Sequence, residues 1–562
     1  MPSEMQFDRP GRGSRAVLAL AVALAGVYYA VLALVVCPPR AFWSGDAGMK
    51  FVQLESLRRG DCTTLALAYP GAELDPSGEH WPFPPPFAVW RDSAWYSTFS
   101  PFFPALSVPL YAALSFTGLY VLPLAAGIGL VCCAVVLTAR LGYGARERIA
   151  AVLIVAFGSP VAFYSATFWE HTPAALLCFI SVSVVAARLA RRPAGLVAAP
   201  RGEAPAPAES IVRIAVWLAA AGVVGGTAVA LRHEALLFVA AVALAWFLCA
   251  GRNGRRAIPA AAYLAGAAVP VAGIALLNVR WFGDVLGLLP AHFTERPTDG
   301  SLLAWAETQC RVGREMLLDP TGGLLPVVPV VVLGLVPIVR PGRCSPAVRF
   351  LSWTGLLFLA VCLLSAPNAG GKQFGPRYLL LCVSPLLVAA AGAMAGSLRR
   401  APLGTTTGGT TAPMRRGVWV AGVLVIVLGL ASITRSFEGA YRLWREKARY
   451  EAPMLAFARA APADVILASH PYFPQQAASL YFQKRIFRVS PSLRDADVLP
   501  AALRAGIDTV LYVDHPAFPR VESLIWPVPS GGWIDVDVGP PTVIAHYRLQ
   551  LWRLSRPVTD GR

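Results

Sequence analysis

Residues 212–250 read VRIAVWLAAAGVVGGTAVALRHEALLFVAAVALAWFLCA, two apolar runs of helical length separated by the charged tripeptide Arg232-His233-Glu234. An apolar run of about 20 residues is long enough to cross a bilayer as a helix, and such runs recur from residue 16 to residue 434. Hydrophobic residues make up 56% of the 562-residue chain and charged residues only 14%, where a soluble domain has about 25% charged residues. The sequence therefore predicts a polytopic α-helical membrane protein and excludes a soluble enzyme, a disordered chain and a fibrous protein.

The net charge of +17 arises mainly in the short loops between the apolar runs. The sequence has no basic face with interleaved aromatic residues, so we expect no nucleic acid as a partner. Lys and Arg instead concentrate in the cytoplasmic loops of membrane proteins. The basic loop residues are Arg9, Arg12, Arg15, Arg140, Arg146, Arg148, Arg188, Arg191, Arg192, Arg252, Arg255, Arg256, Arg340, Arg343, Arg349, Arg399, Arg400, Arg415 and Arg416.

Placing all the basic loops in the cytoplasm determines the topology. The first apolar run, 16–37, ends in Cys37-Pro38-Pro39 rather than in small residues, which favours a retained span over a cleaved signal peptide. Because the first span leads outward and the basic loop that begins at Arg140 is cytoplasmic, the interval 38–139 must contain an odd number of spans, and we predict one. The proline-containing stretch 101–117 is then left on the outer face. The prediction is about eleven spans, namely 16–37, 119–139, 149–166, 173–189, 212–231, 235–250, 257–278, 323–340, 350–366, 378–397 and 417–434.

These spans divide the chain into a cytoplasmic N-terminus (1–15), a transmembrane domain (16–434) with a first outer loop at 38–118, and a soluble tail (435–562). In the tail, VILAS, RIFRVS and DTVLYV predict strands, and PQQAASLYF and LPAALRAG predict helices. Such alternation is typical of a small α/β domain, and parity places it outside the cytoplasm. The segments 193–210 and 401–413, rich in Pro, Ala, Gly and Thr, predict flexible cytoplasmic linkers.

The ten cysteines form neither a CxxC pair nor a Cys/His spacing typical of a metal site. Cys37, Cys62 and Cys310 fall in segments predicted to lie outside the membrane, and a disulfide between two of them stays open. Glu170 and His171 are adjacent candidate ligands, but two ligands are too few to predict a metal ion. We therefore expect no required cofactor, and a divalent metal is not predicted.

Ionisable side chains cluster at the outer ends of the predicted spans, where burying them is costly and their presence is therefore informative. They are Asp46, Lys50, Glu170, His171, Arg232, His233, Glu234, Lys372 and Arg377, with Tyr378 beside them. Group transfer from a phosphate leaving group requires a carboxylate base opposite a group of cations. Taken together, these side chains include both kinds of group.

Each group of charges also has a purely structural interpretation. Asp46 could cap the helix that follows it, and Glu170-His171 could cap the next span. The tripeptide 232–234 could form a self-neutralising turn, and Lys372 and Arg377 could anchor to lipid head groups.

The same segments resemble those of the GT-C glycosyltransferases, multi-spanning enzymes that use polyprenyl-phosphate-linked sugars, in the branch near the protein O-mannosyltransferases and aminoarabinose transferases. The resemblance lies in SGDAGMKFVQ (44–53), FGSPVAFYSATFWEH (157–171), GGTAVALRHEALLF (225–238), LNVRWFGD (277–284), LLDPTGGLLP (317–326) and GGKQFGPRYLL (370–380). Many members also carry a soluble outer tail. Gly45 and Ala47 flank Asp46 where the protein O-mannosyltransferases have an adjacent Asp-Glu pair, so the resemblance leaves the acceptor open.

The resemblance implies an inverting transferase at the outer face of the plasma (inner) membrane. Asp46 would act as general base, and Arg377, with Lys372 and Arg232, would hold the donor phosphate. The remaining donor-binding residues would be Lys50, Glu170, His171, His233, Glu234 and Tyr378. The donor would be a polyprenyl-phosphate sugar carrying a hexose such as mannose, or a pentose, and the acceptor a hydroxyl of a glycan, lipid or protein.

The rival class is a multi-spanning lipid or solute transporter or flippase. It predicts inverted repeats and helices broken near the middle of the membrane, and neither is visible in the sequence.

Overall fold

The computed structural model describes residues 12–190, 211–250, 257–290, 301–398, 416–491, 497–521, 524–527 and 533–555. The predicted linkers 193–210 and 401–413, and most of the N-terminus 1–15, lie outside the described residues. The chain forms two compact units, each assembled from separate parts of the sequence. The helical unit comprises residues 1–32, 120–287 and 296–441, and the α/β unit comprises residues 33–119, 288–295 and 442–562.

Helices dominate the described residues because a backbone in lipid must satisfy its hydrogen bonds within its own segment. They are α1 (Arg12–Ala30), α2 (Gly45–Arg59), α3 (Phe102–Leu114), α4 (Val121–Arg140), α5 (Ala145–Phe157), α6 (Val161–Ser165), α7 (His171–Ala190), α8 (Ile211–Leu231), α9 (Ala235–Cys249), α10 (Ala257–Phe282), α11 (Leu302–Leu318), α12 (Leu324–Val327), α13 (Val336–Val339), α14 (Pro346–Ser365), α15 (Leu380–Leu398), α16 (Arg416–Glu446), α17 (Ala452–Ala460), α18 (Phe473–Gln476) and α19 (Val498–Arg504).

Seven helical stretches among the described residues are long and apolar enough to cross a membrane. They are Gly13–Val36, Phe102–Arg140, His171–Ala190, Ile211–Leu231, Ala257–Phe282, Pro346–Ser365 and Gly422–Ala460. Three shorter apolar helices are Ala235–Cys249, Pro329–Val339 and Arg377–Ala393. The predicted polytopic α-helical membrane protein is confirmed, whereas the count of about eleven crossings stays a prediction.

Proline and glycine interrupt two of the predicted spans. The span predicted at 149–166 consists of α5 and α6, separated by Gly158-Ser159-Pro160. The span predicted at 323–340 consists of α12, a 3₁₀ stretch (Pro329–Leu335) and α13. Proline has no N–H for the helical ladder and its ring clashes with the preceding turn, so each apolar run is divided into short helices.

Small residues bring α8 and α10 into backbone contact within the helical unit. A Cβ atom on Gly222 would lie 2.0 Å from the carbonyl oxygen of Tyr263, and one on Gly266 would lie 2.0 Å from that of Ala219. Gly226, four positions after Gly222, is in similarly tight contact with α10. Glycines at this spacing let membrane helices approach closely. The contact fixes the path of α8, whose end leads into the turn at residues 232–234.

Two sheets belong to the α/β unit. The strands are β1 (Ala66–Leu67), β2 (Ala88–Arg91), β3 (Ala94–Ser97), β4 (Val465–Ala468), β5 (Arg485–Arg488), β6 (Thr509–Asp514), β7 (Leu524–Pro527), β8 (Trp533–Val538), β9 (Thr542–Ile544) and β10 (Tyr547–Ser555). The first sheet has the order β1-β3-β2. The second has the order β5-β4-β6-β10-β8-β7, with β9 paired to β10; β4 is parallel to β5 and β6, and β10 is antiparallel to β6.

The second sheet agrees with the α/β pattern predicted for the tail. VILAS and RIFRVS contain β4 and β5, DTVLYV overlaps β6, and the two predicted helical segments overlap α18 and α19. Strand β4 is buried at all its positions, as expected for a strand covered on both faces. The core of this sheet includes Val465, Tyr512 and Trp552 together with Leu74 of the first outer loop. The first outer loop and the tail therefore share one hydrophobic core.

All ten cysteines are free thiols. The disulfide that the sequence left open among Cys37, Cys62 and Cys310 is not formed.

Candidate active site

Arg232, in the turn between α8 and α9, is the centre of a buried group of charges. Its Nη1 lies 3.0 Å from the Glu170 carboxylate, and its Nε–H donates to the Glu234 carboxylate. The side chains of Arg232 and Glu170 are only 11% and 7% exposed. Burial lowers the pKa of the guanidinium group, but the charges of Glu234 and Glu170 outweigh burial and raise that pKa. The self-neutralising turn is thus present, and it includes a second carboxylate from a different loop.

His171 completes this group from the start of α7. Its Nε2 lies 2.7 Å from Nη1 of Arg232. A guanidinium group can only donate, so Nε2 accepts at this short distance. The His171 ring, 1% exposed, stacks on Tyr164 with ring centroids 5.0 Å apart and packs against Trp169 at 4.9 Å. The ring is held in one orientation by these contacts.

Arg377 and Tyr378 lie at the start of the segment that leads into α15. The Tyr378 ring lies near two guanidinium groups, since its centroid is 5.1 Å from Cζ of Arg377 and 5.8 Å from Cζ of Arg232. Its hydroxyl accepts from Nη2 of Arg377 and donates to Oδ1 of Asn368, both at 3.3 Å. Cation–π contacts of this kind stabilise positive charge next to an aromatic ring. Two cations are thus gathered around one tyrosine.

The glycines before Arg377 permit a backbone path that other residues disfavour. Gly371 and Gly375 have φ values of +75° and +73°, which glycine adopts without the steric cost of a Cβ atom. The N–H of Gly375 donates to the Thr321 carbonyl at 2.8 Å, and the Tyr164 hydroxyl donates to the Gly375 carbonyl at 3.3 Å. The loop that presents Arg377 is therefore tied to the aromatic residues around His171.

Asp46 and Lys50 lie on α2, in the α/β unit. The N-cap of α2 is Ser44, whose Oγ accepts from the Ala47 N–H at 3.4 Å. The structure therefore assigns the cap to Ser44 rather than to Asp46. Asp46 is half-buried in the first turn, where the helix dipole favours a negative charge. Lys50 is 3% exposed, and its Nζ lies 4.3 Å from the centroid of the Phe99 ring.

No family model matches the sequence, and no curated protein matches it. Solved structures do match it. The apo oligosaccharyltransferase of Archaeoglobus fulgidus is 11% identical, with a TM-score of 0.51 over 92% of this chain and 74% of that one. ArnT from Cupriavidus metallidurans, bound to undecaprenyl phosphate, is 13% identical, with a TM-score of 0.51 over 95% of this chain and 97% of that one. Both are GT-C glycosyltransferases.

This chain has the GT-C fold. The fold that the sequence resemblance implied is confirmed, and sequence identity at this level shows the fold alone.

Within the GT-C fold, the helical unit brings most of the predicted donor-binding residues together. Those in mutual contact or linked through a shared ring are Glu170, His171, Arg232, Glu234, Arg377 and Tyr378. His233 is half-buried in the same turn, and Lys372 is exposed in the glycine-rich loop. Asp46 and Lys50 belong to the other compact unit.

The sequence did not single out the aromatic residues around His171. Tyr164 and Trp169 both lie in the segment 157–171 that carries part of the resemblance, but an apolar stretch does not reveal which rings pack inward. Trp169 is fully buried, and its indole N–H has no hydrogen-bond partner among the described residues. A buried donor left without a partner costs about 1–3 kcal/mol, which an oxygen of a bound ligand would recover.

Proposed function

We propose that this protein is an inverting membrane glycosyltransferase. It transfers a sugar, a hexose such as mannose or a pentose, from a polyprenyl-phosphate donor to an acceptor hydroxyl on the extracytoplasmic side of the plasma membrane. The observation that carries the proposal is the pair of guanidinium groups, Arg232 and Arg377, beside the ring of Tyr378 in a chain with the GT-C fold. The undecaprenyl phosphate bound to ArnT supports a donor of this chemistry.

Arg377 is the residue that best fits the donor phosphate. Its guanidinium fork provides parallel N–H donors that match two phosphate oxygens, which a point charge cannot do. Negative charge builds on the phosphate as the bond to the sugar breaks, and preorganised donors stabilise that charge in the transition state. The Trp169 indole N–H is a further donor suited to an oxygen of the phosphate or sugar.

Arg232 contributes in a different way, because two carboxylates already pair with it. We assign it a positioning role in which it holds Glu170, His171 and the Tyr378 ring in place. Lys372, exposed on its loop, supplies longer-range attraction for an anionic lipid head group.

Asp46 is the proposed general base. In the reaction, the acceptor hydroxyl gives its proton to the Asp46 carboxylate while its oxygen forms a bond to the anomeric carbon. The bond between that carbon and the phosphate oxygen breaks, and its electron pair leaves with the polyprenyl phosphate. Attack opposite the leaving group inverts the anomeric configuration. The cap provided by Ser44 leaves the Asp46 carboxylate without that structural duty.

The test uses the full-length protein in lipid nanodiscs with a panel of radiolabelled polyprenyl-phosphate hexoses and pentoses. A membrane and cell-envelope extract of the producing organism supplies the acceptor. We expect release of polyprenyl phosphate together with transfer of the label, and a product of inverted anomeric configuration by NMR. A transporter would move the donor across the bilayer with the sugar–phosphate bond intact, so an unchanged donor that changes leaflet would overturn the proposal.

The role of Asp46 is tested with Asp46→Asn, which keeps the shape of the side chain but cannot accept the proton. A general base contributes about 10²–10⁴ in rate, so transfer should fall by that factor while donor binding is retained. Asp61→Asn is the matched control, because Asp61 follows the same helix and is exposed. Wild-type turnover by Asp46→Asn would contradict the assignment.

A further inference from the structure

The end of α16 contains a change of helix type that brings two carboxylates together. The helix ends at Glu446, and a π-helical turn, Lys447–Glu451, leads into α17. In an α-helix, residues five positions apart lie about 140° apart around the axis. In a π-helix the i→i+5 hydrogen bond places such residues one turn apart on the same side. Glu446 and Glu451 therefore share a face that an α-helix would not give them.

A histidine reaches the same place from the second sheet. Because β10 is antiparallel to β6, Arg548 at the start of β10 pairs with Asp514 at the end of β6. His546 occupies the turn that immediately precedes β10, and it therefore lies at the end of the sheet where β6 finishes. Ala545, the residue before it, has a φ of +54°, a left-handed conformation that turns the chain sharply at this point.

The three side chains form a compact set of metal-binding atoms. One carboxylate oxygen each of Glu446 and Glu451 and one ring nitrogen of His546 all lie within 4.8 Å of one another. Ligand atoms around a tetrahedral zinc ion are about 3.4 Å apart, given metal–ligand distances of about 2.1 Å. Metal binding would therefore draw the three atoms closer together.

Glu451 has the surroundings of a buried ligand. Its side chain is fully buried, and the hydroxyl of Tyr547 lies 3.1 Å from its carboxylate. The phenol shares its hydrogen between this carboxylate and Oε1 of Gln476. Metal-binding carboxylates typically receive such a supporting hydrogen bond, which orients them toward the ion.

Four basic residues lie on the same segment, namely Arg442, Arg445, Lys447 and Arg449. Lys447 is buried in the π turn. Arg442 is half-buried, and Arg445 and Arg449 are exposed. The carboxylates of Glu446 and Glu451 thus lie on a segment that also carries cations.

Two neighbouring histidines are excluded as ligands by their hydrogen bonds. The rings of His515 and His546 have centroids 5.6 Å and 5.5 Å from that of His470. Nδ1 of His470 accepts from the Tyr472 N–H, and Nδ1 of His515 accepts from the Ala517 N–H. A neutral imidazole that accepts at Nδ1 carries its hydrogen at Nε2, so the one in-plane lone pair of each ring is already used in a hydrogen bond.

We propose that Glu446, Glu451 and His546 bind a divalent transition-metal ion, with zinc as the expected occupant. Carboxylate and imidazole ligands suit zinc, and three protein ligands leave a fourth position for water. The ion ties the π turn after α16 to the turn before β10, which the Tyr547–Glu451 hydrogen bond also joins. The proposal is independent of the glycosyltransferase assignment.

The test uses the full-length protein in detergent, stripped with chelator and dialysed, with Co²⁺ as a visible-absorption probe and Zn²⁺ as competitor. We expect Co²⁺ absorption typical of low coordination number, displaced by Zn²⁺, and a rise in Tm when Zn²⁺ is added. Glu446→Gln, Glu451→Gln and His546→Gln should each weaken binding by at least about tenfold and abolish the rise in Tm.

His515→Gln is the matched control, since it removes a neighbouring ring that is not a ligand, and it should bind as the wild type does. If buried Glu451→Gln fails to fold, the variants of the partly exposed Glu446 and His546 still decide the question. Binding of an ion at another site would persist in all three ligand variants and also in Asp46→Asn. No Co²⁺ uptake by the wild type, or equal uptake by the wild type and the His546 variant, would overturn the proposal.

Discussion

Arg377 and Arg232 share one tyrosine ring but differ in their other neighbours. Two carboxylates and His171 contact Arg232, whereas the glycine-rich loop and Tyr378 surround Arg377. A residue already paired with carboxylates binds an anion only by giving up those contacts, which are costly to break when buried. At the scale of single residues, these ion pairs support the proposed positioning role of Arg232, and the proposed phosphate-binding role belongs to Arg377.

Arg377→Ala should therefore weaken use of the donor far more than it weakens folding. We expect the donor KM to rise and kcat to fall, with a loss in kcat/KM of about 10²–10³, as for removal of one charge-stabilising donor. Arg377→Lys should restore part of the loss, because a point charge replaces a bidentate fork. The measurement is kcat/KM for donor cleavage, with Tm as the check on folding.

Arg340→Ala is the control for this prediction, because Arg340 is an exposed arginine at the end of α13. Equal activity for Arg, Lys and Ala at position 377 would remove the phosphate-binding role.

At the scale of elements, α2 approaches α18 so closely that one position in it must be glycine. A Cβ atom on Gly48 would lie 1.7 Å from the carbonyl oxygen of Gln475, whereas one on Gly45 would meet its nearest neighbour at an ordinary 3.4 Å. A backbone carbonyl group cannot move aside as the end of a flexible side chain can. Gly48→Ala should therefore destabilise the α/β unit by about 1–3 kcal/mol, seen as a lower Tm. Gly45→Ala is the matched control, and equal Tm values for the two variants would contradict the close packing.

The C-terminal end of α2 has a buried carboxylate whose ionisation depends on two arginines. Burial of Glu55 raises the pKa of its carboxyl group, but hydrogen bonds and charges from Arg58, at 2.7 Å, and Arg59, at 3.0 Å, outweigh burial and hold that pKa below its usual value. A pKa that is lower in the folded state than in the unfolded state stabilises the protein above the unfolded value, about 4.3 for Glu, and this stabilisation is lost as the pH falls through the folded pKa.

Glu55→Gln should accordingly lower Tm relative to the wild type at pH 7, by the equivalent of about 1–3 kcal/mol for lost hydrogen bonds to a charged group. The difference between the two proteins should shrink once the pH falls below about 4. Glu315→Gln, at an exposed position of α11, should show no such dependence. A difference that stays constant from pH 7 to pH 3 would contradict the ion-pair interpretation.

At the scale of the whole molecule, the prediction concerns the side of the membrane that the α/β unit occupies. The basic loops and the parity of the predicted spans place Asp46 and the tail together on the extracytoplasmic side. The shared core of Leu74 and the tail sheet agrees with this arrangement, since both segments must then lie on one side.

Ala517→Cys tests the sidedness, because Ala517 is exposed in the tail. In a background with the exposed Cys62 and Cys310 replaced by Ser, the new thiol should react with a membrane-impermeant reagent in intact cells. The parent without the new cysteine should show only background labelling. Labelling that requires lysis would place the tail in the cytoplasm and reverse the topology.

The sequence alone determined the fold class, because apolar length and loop charge are local properties that directly reflect transfer into lipid. It also located β4, β5 and β6 of the tail and the residues 170–171, 232–234 and 377–378. It predicted continuous spans at 149–166 and 323–340, where internal proline and glycine produce short helices instead. Hydropathy averages over a window and does not register a break of one or two residues.

Only the tertiary structure decided which charges meet. Glu170 and Arg232 are 62 positions apart in the chain, and their ion pair depends on how α7 and α8 pack. The assignment of the α2 cap to Ser44 rather than Asp46 needed a hydrogen bond between specific atoms. Glu446 and Glu451 share a face because α16 ends in a π turn, and His546 joins them through the register of β10 on β6. Local patterns determine which segments enter the membrane or form strands, whereas the pairing of distant side chains depends on the path of the whole backbone.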